Sequence, residues 1–250
     1  MTKVDALIAL IKDNGGVASW QYIYDNIEKY YPAAKASRTW KSGLRGVLYR
    51  EIRNNRNFKC VGFGVYALNE YEEEKAFEDI RKNNVRMHSY IEGLLVELGN
   101  YEKFDTYCAD PTAKFQANVF INQIATILDF PEFTYPEINY IAKRIDVIWF
   151  TKTGHKFPKK AIEVVDGVGT LEEALSRMYQ LKEFQTDFLV VSPLRLLNKI
   201  NDKLKREPYS IYKERFSVKC YDDIINYYKN RLEIEKLYYK NRLEIEKLKF

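Results

Sequence analysis

The sequence holds little of what most metal and nucleophile sites are made from. It contains two histidines, His88 and His155, and three widely spaced cysteines, Cys60, Cys108 and Cys220. Three well-separated cysteines predict neither a disulfide framework nor a zinc site. Two histidines leave little material for a histidine-based metal site or a histidine-dependent catalytic triad.

Glycine-rich nucleotide-binding motifs and long apolar runs are also absent from the sequence. There is no Walker A loop, no Rossmann glycine fingerprint and no nucleophile elbow, which argues against an ATP-driven enzyme or a dehydrogenase. No apolar run approaches the length that spans a bilayer. The N-terminal residues include acids and lack a small-residue cleavage site, so we expect a cytoplasmic protein with no membrane partner.

What the sequence does contain is typical of a globular protein. Its 250 residues suffice for one large or two ordinary domains, and 46% of them are hydrophobic and 30% charged, as in soluble chains. The net charge is +5, alongside 20 Tyr and 14 Phe. Mild basicity combined with many aromatic residues favours a polyanionic partner.

Two buried-strand patterns in the second half of the chain each hold one acid. Residues 144–150 are β-branched and aromatic around Asp146, and residues 161–165 are apolar around Glu163. A carboxylate inside a buried strand costs desolvation free energy unless a partner binds it. A divalent cation with oxygen ligands is the obvious common partner of two such acids. The alternative is that both acids are structural, with Asp146 bonded to Arg144 or to backbone amides and Glu163 on an exposed edge strand.

The same segments resemble the PD-(D/E)XK nucleases, a fold that includes many type II restriction endonucleases. The similarity lies in IDVIW, the strand AIEVV, the helix with ALSRM and the strand FLVVSP, and it covers roughly residues 86 to 220. It implies a mixed-sheet catalytic domain at 86–225 that hydrolyses phosphodiester bonds in double-stranded DNA with Mg²⁺. The resemblance then makes Asp146 and Glu163 metal ligands, with the backbone carbonyl of Val164 as a further ligand.

The sequence departs from the family pattern two residues after Glu163. The pattern has a Lys, or sometimes a Glu or Gln, on that strand face, whereas this chain has Val165. A Val can neither orient a water nor stabilise a leaving oxygen, so either another group takes this role or the site is impaired. The candidates are polar residues near Glu163 in sequence: Asp166, taken as catalytic, Lys160 and Gln180 in a second tier, and Glu173 and Arg177. Glu92, on the first helix of the domain, is a further second-tier candidate for the metal site, although an exposed surface Glu is the simpler interpretation.

The first 70 residues predict three helices and a hairpin. Helices are expected at 2–13, 20–30 and 38–54, followed by a β-hairpin at 58–68. This order, with VASWQYIYDNI and GVYAL, resembles the winged-helix modules found fused to restriction nucleases and implies a DNA-binding domain at 1–70. The expected DNA contacts lie on one face of the third helix and in the wing: Arg38, Lys41, Ser42, Arg45, Tyr49 and Lys59. The alternative is a solvated charged face.

The remaining segments connect and extend these domains. Residues 71–85 predict a charged helical connector, and the apolar spacing at 120–128 predicts a helical stretch. The tail, 226–250, contains YYKNRLEIEKL at 227–237 and a complete second copy at 238–248, which predicts a long repeated helix. Because cutting both DNA strands usually takes two sites, the repeated helix also suggests a homodimer.

The fold class expected from the sequence is α+β, with an N-terminal winged helix and a C-terminal mixed-sheet, PD-(D/E)XK nuclease-like domain. Two other functions stay open. Val165 favours a non-catalytic DNA-binding or regulatory protein with a degenerate nuclease fold, and a weaker alternative is a protein-interaction platform. Only the last predicts no salt-dependent affinity for DNA.

Overall fold

The computed structural model describes residues 1–247, with side chains described through residue 237. The chain divides into two compact units. The first holds residues 1–79, 116–119 and the tail from 229, and the second holds residues 80–115 and 120–228.

The N-terminal part of the first unit combines helices with a small sheet. Its elements are α1 (Lys3–Asp13), β1 (Val17–Ser19), α2 (Trp20–Asn26), α3 (Trp40–Arg53), β2 (Phe58–Cys60) and β3 (Val65–Leu68), with a 3₁₀ turn at Ile27–Lys29. The strands pair antiparallel in the order β1-β3-β2. Leu7 and Leu10 of α1 and Leu44 and Leu48 of α3 are buried in one core, as their helical spacing predicts.

Local sequence explains how α1 begins and ends. The Thr2 hydroxyl accepts a hydrogen bond from the backbone N–H of Asp5, whose carboxylate accepts one from the N–H of Thr2. This capping box satisfies amides that have no partner within the helix. After Asn14, Gly15 and Gly16 take φ values of 79° and 88°, which glycine adopts without steric cost. The chain thereby turns directly into β1.

From residue 73 onward the chain alternates helices with strands, of which β5 and β6 form a separate two-stranded sheet. The elements are α4 (Glu73–Arg81), α5 (Asn84–Tyr101), β4 (Asp105–Cys108), β5 (Lys114–Gln116), β6 (Val119–Phe120), α6 (Pro136–Ala142), β7 (Val147–Phe150), β8 (Pro158–Val164), α7 (Val168–Tyr179), β9 (Asp187–Ser192), α8 (Leu197–Leu204), β10 (Phe216–Cys220) and α9 (Tyr221–Lys247), with 3₁₀ turns at Ile121–Gln123, Leu194–Leu196 and Tyr209–Arg215. Within these described residues, no helix is both long and apolar enough to cross a bilayer.

The second unit is organised around a mixed five-stranded sheet with the order β10-β9-β8-β7-β4. Strands β4, β7 and β8 pair antiparallel, whereas β8, β9 and β10 pair parallel. Helix α7 makes the crossover from β8 to β9 that a parallel pair requires. On one face, Ile148 and Ala161 pack with Leu175 of α7. On the other face, the Trp149 indole donates a 3.1 Å hydrogen bond to the carbonyl of Leu95 in α5.

Two expectations about this region need correction. The predicted helical stretch at 120–128 is wrong, because β6 and a 3₁₀ turn occupy its first half and the N–H groups of Thr126 and Ile127 bond to the carbonyl of Thr106. Among its apolar residues Ile121 is buried and Leu128 is exposed, so they form no buried helix stripe. The predicted strand 144–150 begins only at Val147, so Asp146 precedes the strand. The side chains of the second copy of the tail repeat lie outside the described residues. Residues 248–250 lie outside them altogether.

Candidate functional site

Asp146 lies immediately before β7 and is fixed by the backbone of the next strand. Its Oδ2 atom accepts a 2.7 Å hydrogen bond from the N–H of Val164 in β8. Arg144, the alternative partner considered from the sequence, instead donates to Glu173 at 2.9 Å. Burial raises the pKa of Asp146, because the charged form loses hydration. The carboxylate is thus held by one backbone donor and is costly to ionise without a cation.

Glu163 lies in the centre of the sheet, with only 1% of its side chain exposed. An exposed edge position is excluded, because β8 lies between β7 and β9. Arg177 of α7 donates to both carboxylate oxygens, from Nε at 2.8 Å and from Nη2 at 2.6 Å. Burial raises the pKa of Glu163, and the paired hydrogen bonds from Arg177 oppose that effect. Both oxygens of this predicted metal ligand therefore have a guanidinium partner.

Helix α5 brings two more ionisable side chains to Asp146. His88 and Glu92 are four residues apart, which places them on one helix face. The Nε2 atom of His88 lies 3.5 Å from Oε1 of Glu92 and 3.9 Å from Oδ2 of Asp146. Glu92 is buried, not exposed, and burial raises its pKa to about 7. His88, Glu92 and Asp146 offer ligand atoms that all lie within 4.8 Å of one another.

Asp166, just after β8, connects His88 to the rest of the unit. Its Oδ2 atom lies 2.7 Å from Nδ1 of His88, and its Oδ1 atom accepts from the Tyr221 hydroxyl. Arg195 donates to its backbone carbonyl at 3.2 Å. Burial lowers the pKa of His88, but hydrogen bonds to Asp166 and Glu92 raise it more, to a net value of about 10. Asp166 therefore fixes the orientation of the imidazole.

These side chains open onto a pocket of about 540 Å³ in the second unit. Its lining combines four acids with one imidazole and a few neutral groups: Asn84, Val85, His88, Ser89, Glu92, Ala109, Asp110, Asp146 and Asp166. Glu163 does not line the pocket. Asp110 also lines the pocket, whereas Asp105 of β4 pairs with Lys152 and Lys156 at 2.6 and 2.7 Å.

The residues proposed to replace the missing lysine lie in different places. Val165 is 1% exposed and packs in the core beside α7. The Lys160 ammonium lies over the Trp149 ring at 4.8 Å, and Gln180 donates to the carbonyl of Ser176 at 3.4 Å. Arg177 is the one of these candidates that bonds directly to Glu163.

Sequence reasoning missed His88. The signal was the spacing of His88 and Glu92, four residues apart on a predicted helix. That spacing was outweighed by the scarcity of histidine in the chain, and the partner Asp166 is 78 positions away.

The predicted DNA-contact residues all lie in the first unit, with different exposure. Four of them are exposed: Arg38 just before α3, and Lys41, Ser42 and Arg45 on α3. Tyr49 is half-buried and its ring contacts Trp20 and Tyr66. Lys59 donates to the carbonyl of Tyr71 at 2.6 Å and pairs with Glu73 at 3.2 Å. Its ammonium is therefore held within the unit.

Comparison with known proteins gives one family. A family model described as the type II restriction enzyme NmeDI C-terminal domain matches residues 69–238. No significant match was found among curated proteins or among solved structures. The matched span is more than half of the chain, and it contains α5, the five-stranded sheet and α7.

Proposed function

Because the chain belongs to the type II restriction enzyme NmeDI C-terminal domain family, we propose that it hydrolyses phosphodiester bonds in double-stranded DNA with the help of Mg²⁺. Family membership itself supports a restriction-type DNA endonuclease. The observation that carries the finer proposal is that Glu92 and Glu163 both lie near Asp146, and that Glu92 and Asp146 line an open pocket.

We assign the second unit to the PD-(D/E)XK nucleases. Its elements follow one another in the order α5, β4, β7, β8, α7, β9, and the strands belong to one mixed sheet. In this sheet Asp146 precedes one central strand, and Glu163 lies on the next. This arrangement supports the resemblance first drawn from the sequence. The adjacent positions of the two acids follow from the antiparallel register, in which Val147 faces Ile162.

The acids fit a hard divalent cation. Carboxylate oxygens are the ligands that Mg²⁺ prefers, and burial raises the pKa of Glu92 and of Asp146, as expected for acids without a full counter-charge. Asp146 and Glu92 would hold the cation at the pocket, with Glu163 and the Val164 carbonyl behind them. A bound divalent cation lowers the pKa of a water nucleophile and neutralises charge that develops on the scissile phosphate.

We propose that Arg177 supplies the positive charge that Val165 cannot. Its side chain is 16% exposed, and its guanidinium bonds Glu163 and, at 2.9 Å, Glu173. An arginine stays protonated at any physiological pH, so it can stabilise negative charge but cannot act as a base. Asp166, bound to His88 and Tyr221, is then a positioning residue and not a group that contacts phosphate.

We propose that the first unit is a winged helix that contacts DNA through α3. Its order of helix, strand, two helices and two strands supports this assignment, and Arg38, Lys41 and Arg45 give α3 and its start an exposed cationic surface. Arginine and lysine on such a surface bind phosphates or guanine edges in the major groove.

The nuclease proposal is tested by incubating the purified protein with methylated and unmethylated plasmid and genomic DNA, in Mg²⁺ or in EDTA. We expect discrete fragments that require Mg²⁺ and disappear with Asp146→Ala and with Glu163→Gln. Asp105→Asn is the matched control, because it removes an acid of the same sheet outside the pocket, and it should leave cleavage intact. Circular dichroism checks that each variant folds.

The second candidate function is DNA binding without cleavage. It is favoured by Val165 and by the contact in which Arg177 binds both oxygens of Glu163. It predicts intact DNA in every reaction, together with a gel shift that neither acid substitution changes. That result would contradict the nuclease proposal and make the acids structural.

A further inference from the structure

We propose that His88 is a metal ligand beside Glu92 and Asp146, and that the site therefore binds a transition-metal dication such as Mn²⁺ more tightly than Mg²⁺. The inference deepens the proposed nuclease function and rests on it, because both use the same pocket. It adds an imidazole nitrogen to a site otherwise described by carboxylates alone.

The distances between the three ligand atoms fit one ion after a small inward movement. Nε2 of His88 lies 3.5 Å from Oε1 of Glu92 and 3.9 Å from Oδ2 of Asp146, and the three ligand atoms all lie within 4.8 Å of one another. Ligands with bonds of ~2.1 Å to one ion lie roughly 3 to 4 Å apart. Side-chain rotations that move these ligand atoms by about 1 Å or less would bring every separation into this range.

The surroundings of His88 orient it as a metal ligand. Metal-binding histidines almost always donate their other ring N–H to a carboxylate or carbonyl, which fixes the tautomer and the ring plane. Nδ1 of His88 faces Oδ2 of Asp166 at 2.7 Å, and Asp166 is itself held by Tyr221 and Arg195. With the Nδ1 hydrogen directed at Asp166, a cation would displace the Nε2 proton that the imidazolium carries, and the Nε2 lone pair would then face Glu92 and Asp146.

Two of the ligands come from a rigid element, and all three reach solvent through the pocket. His88 and Glu92 lie one turn apart on α5, whose N-cap is Asn83, and Asp146 is fixed by the N–H of Val164 at 2.7 Å. The pocket of about 540 Å³ gives the ion an entry path and leaves room for a phosphate group.

The ligand set determines which cation is preferred. Imidazole suits transition metals, and their affinity for a mixed nitrogen and oxygen site increases from Mn²⁺ toward Cu²⁺. Mg²⁺ prefers oxygen and gains little from a nitrogen ligand. Losing His88 should therefore weaken Mn²⁺ binding strongly and Mg²⁺ binding weakly.

The test measures metal binding directly, without DNA. The full chain, purified without a histidine tag and stripped of metal, is titrated with Mn²⁺ or Mg²⁺ by calorimetry, and Mn²⁺ samples are measured by pulsed electron paramagnetic resonance for imidazole ¹⁴N coupling. Since the chain has two histidines, His155→Gln is the matched control for His88→Gln. We expect ¹⁴N coupling in the wild type and His155→Gln, and its loss in His88→Gln with a rise in the Mn²⁺ Kd of at least ~10-fold.

A variant that keeps the ligand but loosens it separates positioning from coordination. Asp166→Asn should raise the Mn²⁺ Kd by ~10-fold while the ¹⁴N coupling remains, as for the loss of an outer hydrogen-bond partner. If His88→Gln fails to fold, ¹⁵N-histidine labelling of the wild type still tests the proposal, because the coupling pattern must change with the isotope.

Bound Mn²⁺ without histidine coupling in the wild type, or an unchanged Mn²⁺ Kd in folded His88→Gln, would overturn the inference. Failure of the nuclease proposal gives a different result. The protein would then bind Mn²⁺ through His88 and cleave no DNA. Mg²⁺-dependent cleavage with no role for His88 in metal binding would instead support the nuclease proposal and overturn the inference about His88.

Discussion

At the scale of single residues, the second unit concentrates opposing charges in and next to the pocket. Glu163 is matched by Arg177, Asp166 by His88, and Glu92 shares His88 with Asp146. Such pairs add little net stability compared with apolar residues, but loss of one partner leaves an uncompensated charge. Their arrangement is better explained by chemistry at the pocket than by folding.

Arg177→Met should lower the free energy of unfolding by about 3 kcal/mol, because it leaves the Glu163 carboxylate buried without its partner. Arg144→Met is the control, since the pair of Arg144 with Glu173 is solvent-exposed and such pairs contribute about 1 kcal/mol or less. Urea denaturation measures both. Equal small losses would mean that Glu163 is neutral in the folded protein.

Asp105 provides a pH-dependent test away from the pocket. Burial raises its pKa, but hydrogen bonds from Lys152 and Lys156 lower it more, so the net pKa is below the usual value. Its stabilising effect is therefore present above a pH of about 4 and is lost as the pH falls through the folded-state pKa. Asp105→Asn should reduce stability at pH 7 by up to about 1 kcal/mol. Melts from pH 7 to pH 2 should show the difference from wild type disappearing; a constant difference would contradict the ion pairs.

At the scale of elements, α5 matters because it carries His88 and Glu92 and lies close to the sheet. Gly99 permits the approach. A Cβ atom there would lie 2.5 Å from Cγ2 of Thr106 and 2.7 Å from Nε1 of Trp149. The close packing fixes the position of α5 relative to β4 and β7, and with it the distance from His88 to Asp146.

Gly99→Ala should therefore destabilise the second unit by roughly 1–3 kcal/mol, as overpacking does, despite the better helix propensity of alanine. Gly169→Ala in the first turn of α7 is the control, because a Cβ atom there meets nothing within 4 Å. It should be neutral or slightly stabilising. Thermal melts compare the two, and equal behaviour would contradict the tight contact.

Helix α3 makes a separate prediction about DNA. Replacing Arg38 and Arg45 with alanine should weaken DNA binding and make the slope of log affinity against log salt shallower by about 2. The reason is that each lost phosphate contact changes this slope by ~0.9. Lys12→Ala, which removes an exposed cation from α1, should leave the slope unchanged. Fluorescence anisotropy across a salt series measures it. The same decrease in all variants would assign the effect to net charge alone.

At the scale of the whole molecule, the family match begins at residue 69 and leaves most of the first unit outside it. That unit has its own core and sheet, as the proposed division of DNA recognition and cleavage between two parts of the chain requires. Helix α9 contains the first repeat copy, in which Leu232 is 5% exposed. The first copy therefore buries at least one apolar side chain in the folded chain.

We expect a homodimer, because two sites cut both strands and the second repeat copy provides a further helical segment. Light scattering should give a mass near twice 29.6 kDa, with or without DNA. Deleting residues 238–250 should shift it toward the monomer, whereas deleting only 248–250 should not. A single peak at the monomer mass in every condition would exclude the dimer.

The sequence by itself determined the α+β class, the helices of the first unit and the strand pairing that brings Asp146 beside β8, because these follow from local periodicity and turn residues. It also marked Val165 as a departure from the family pattern. The tertiary structure alone decided which acids share a pocket. His88, Asp146 and Asp166 are far apart in sequence, and Arg177 reaches Glu163 only through the crossover of α7. Such contacts depend on the packing of α5 and α7 on opposite faces of the sheet, which local sequence patterns do not encode.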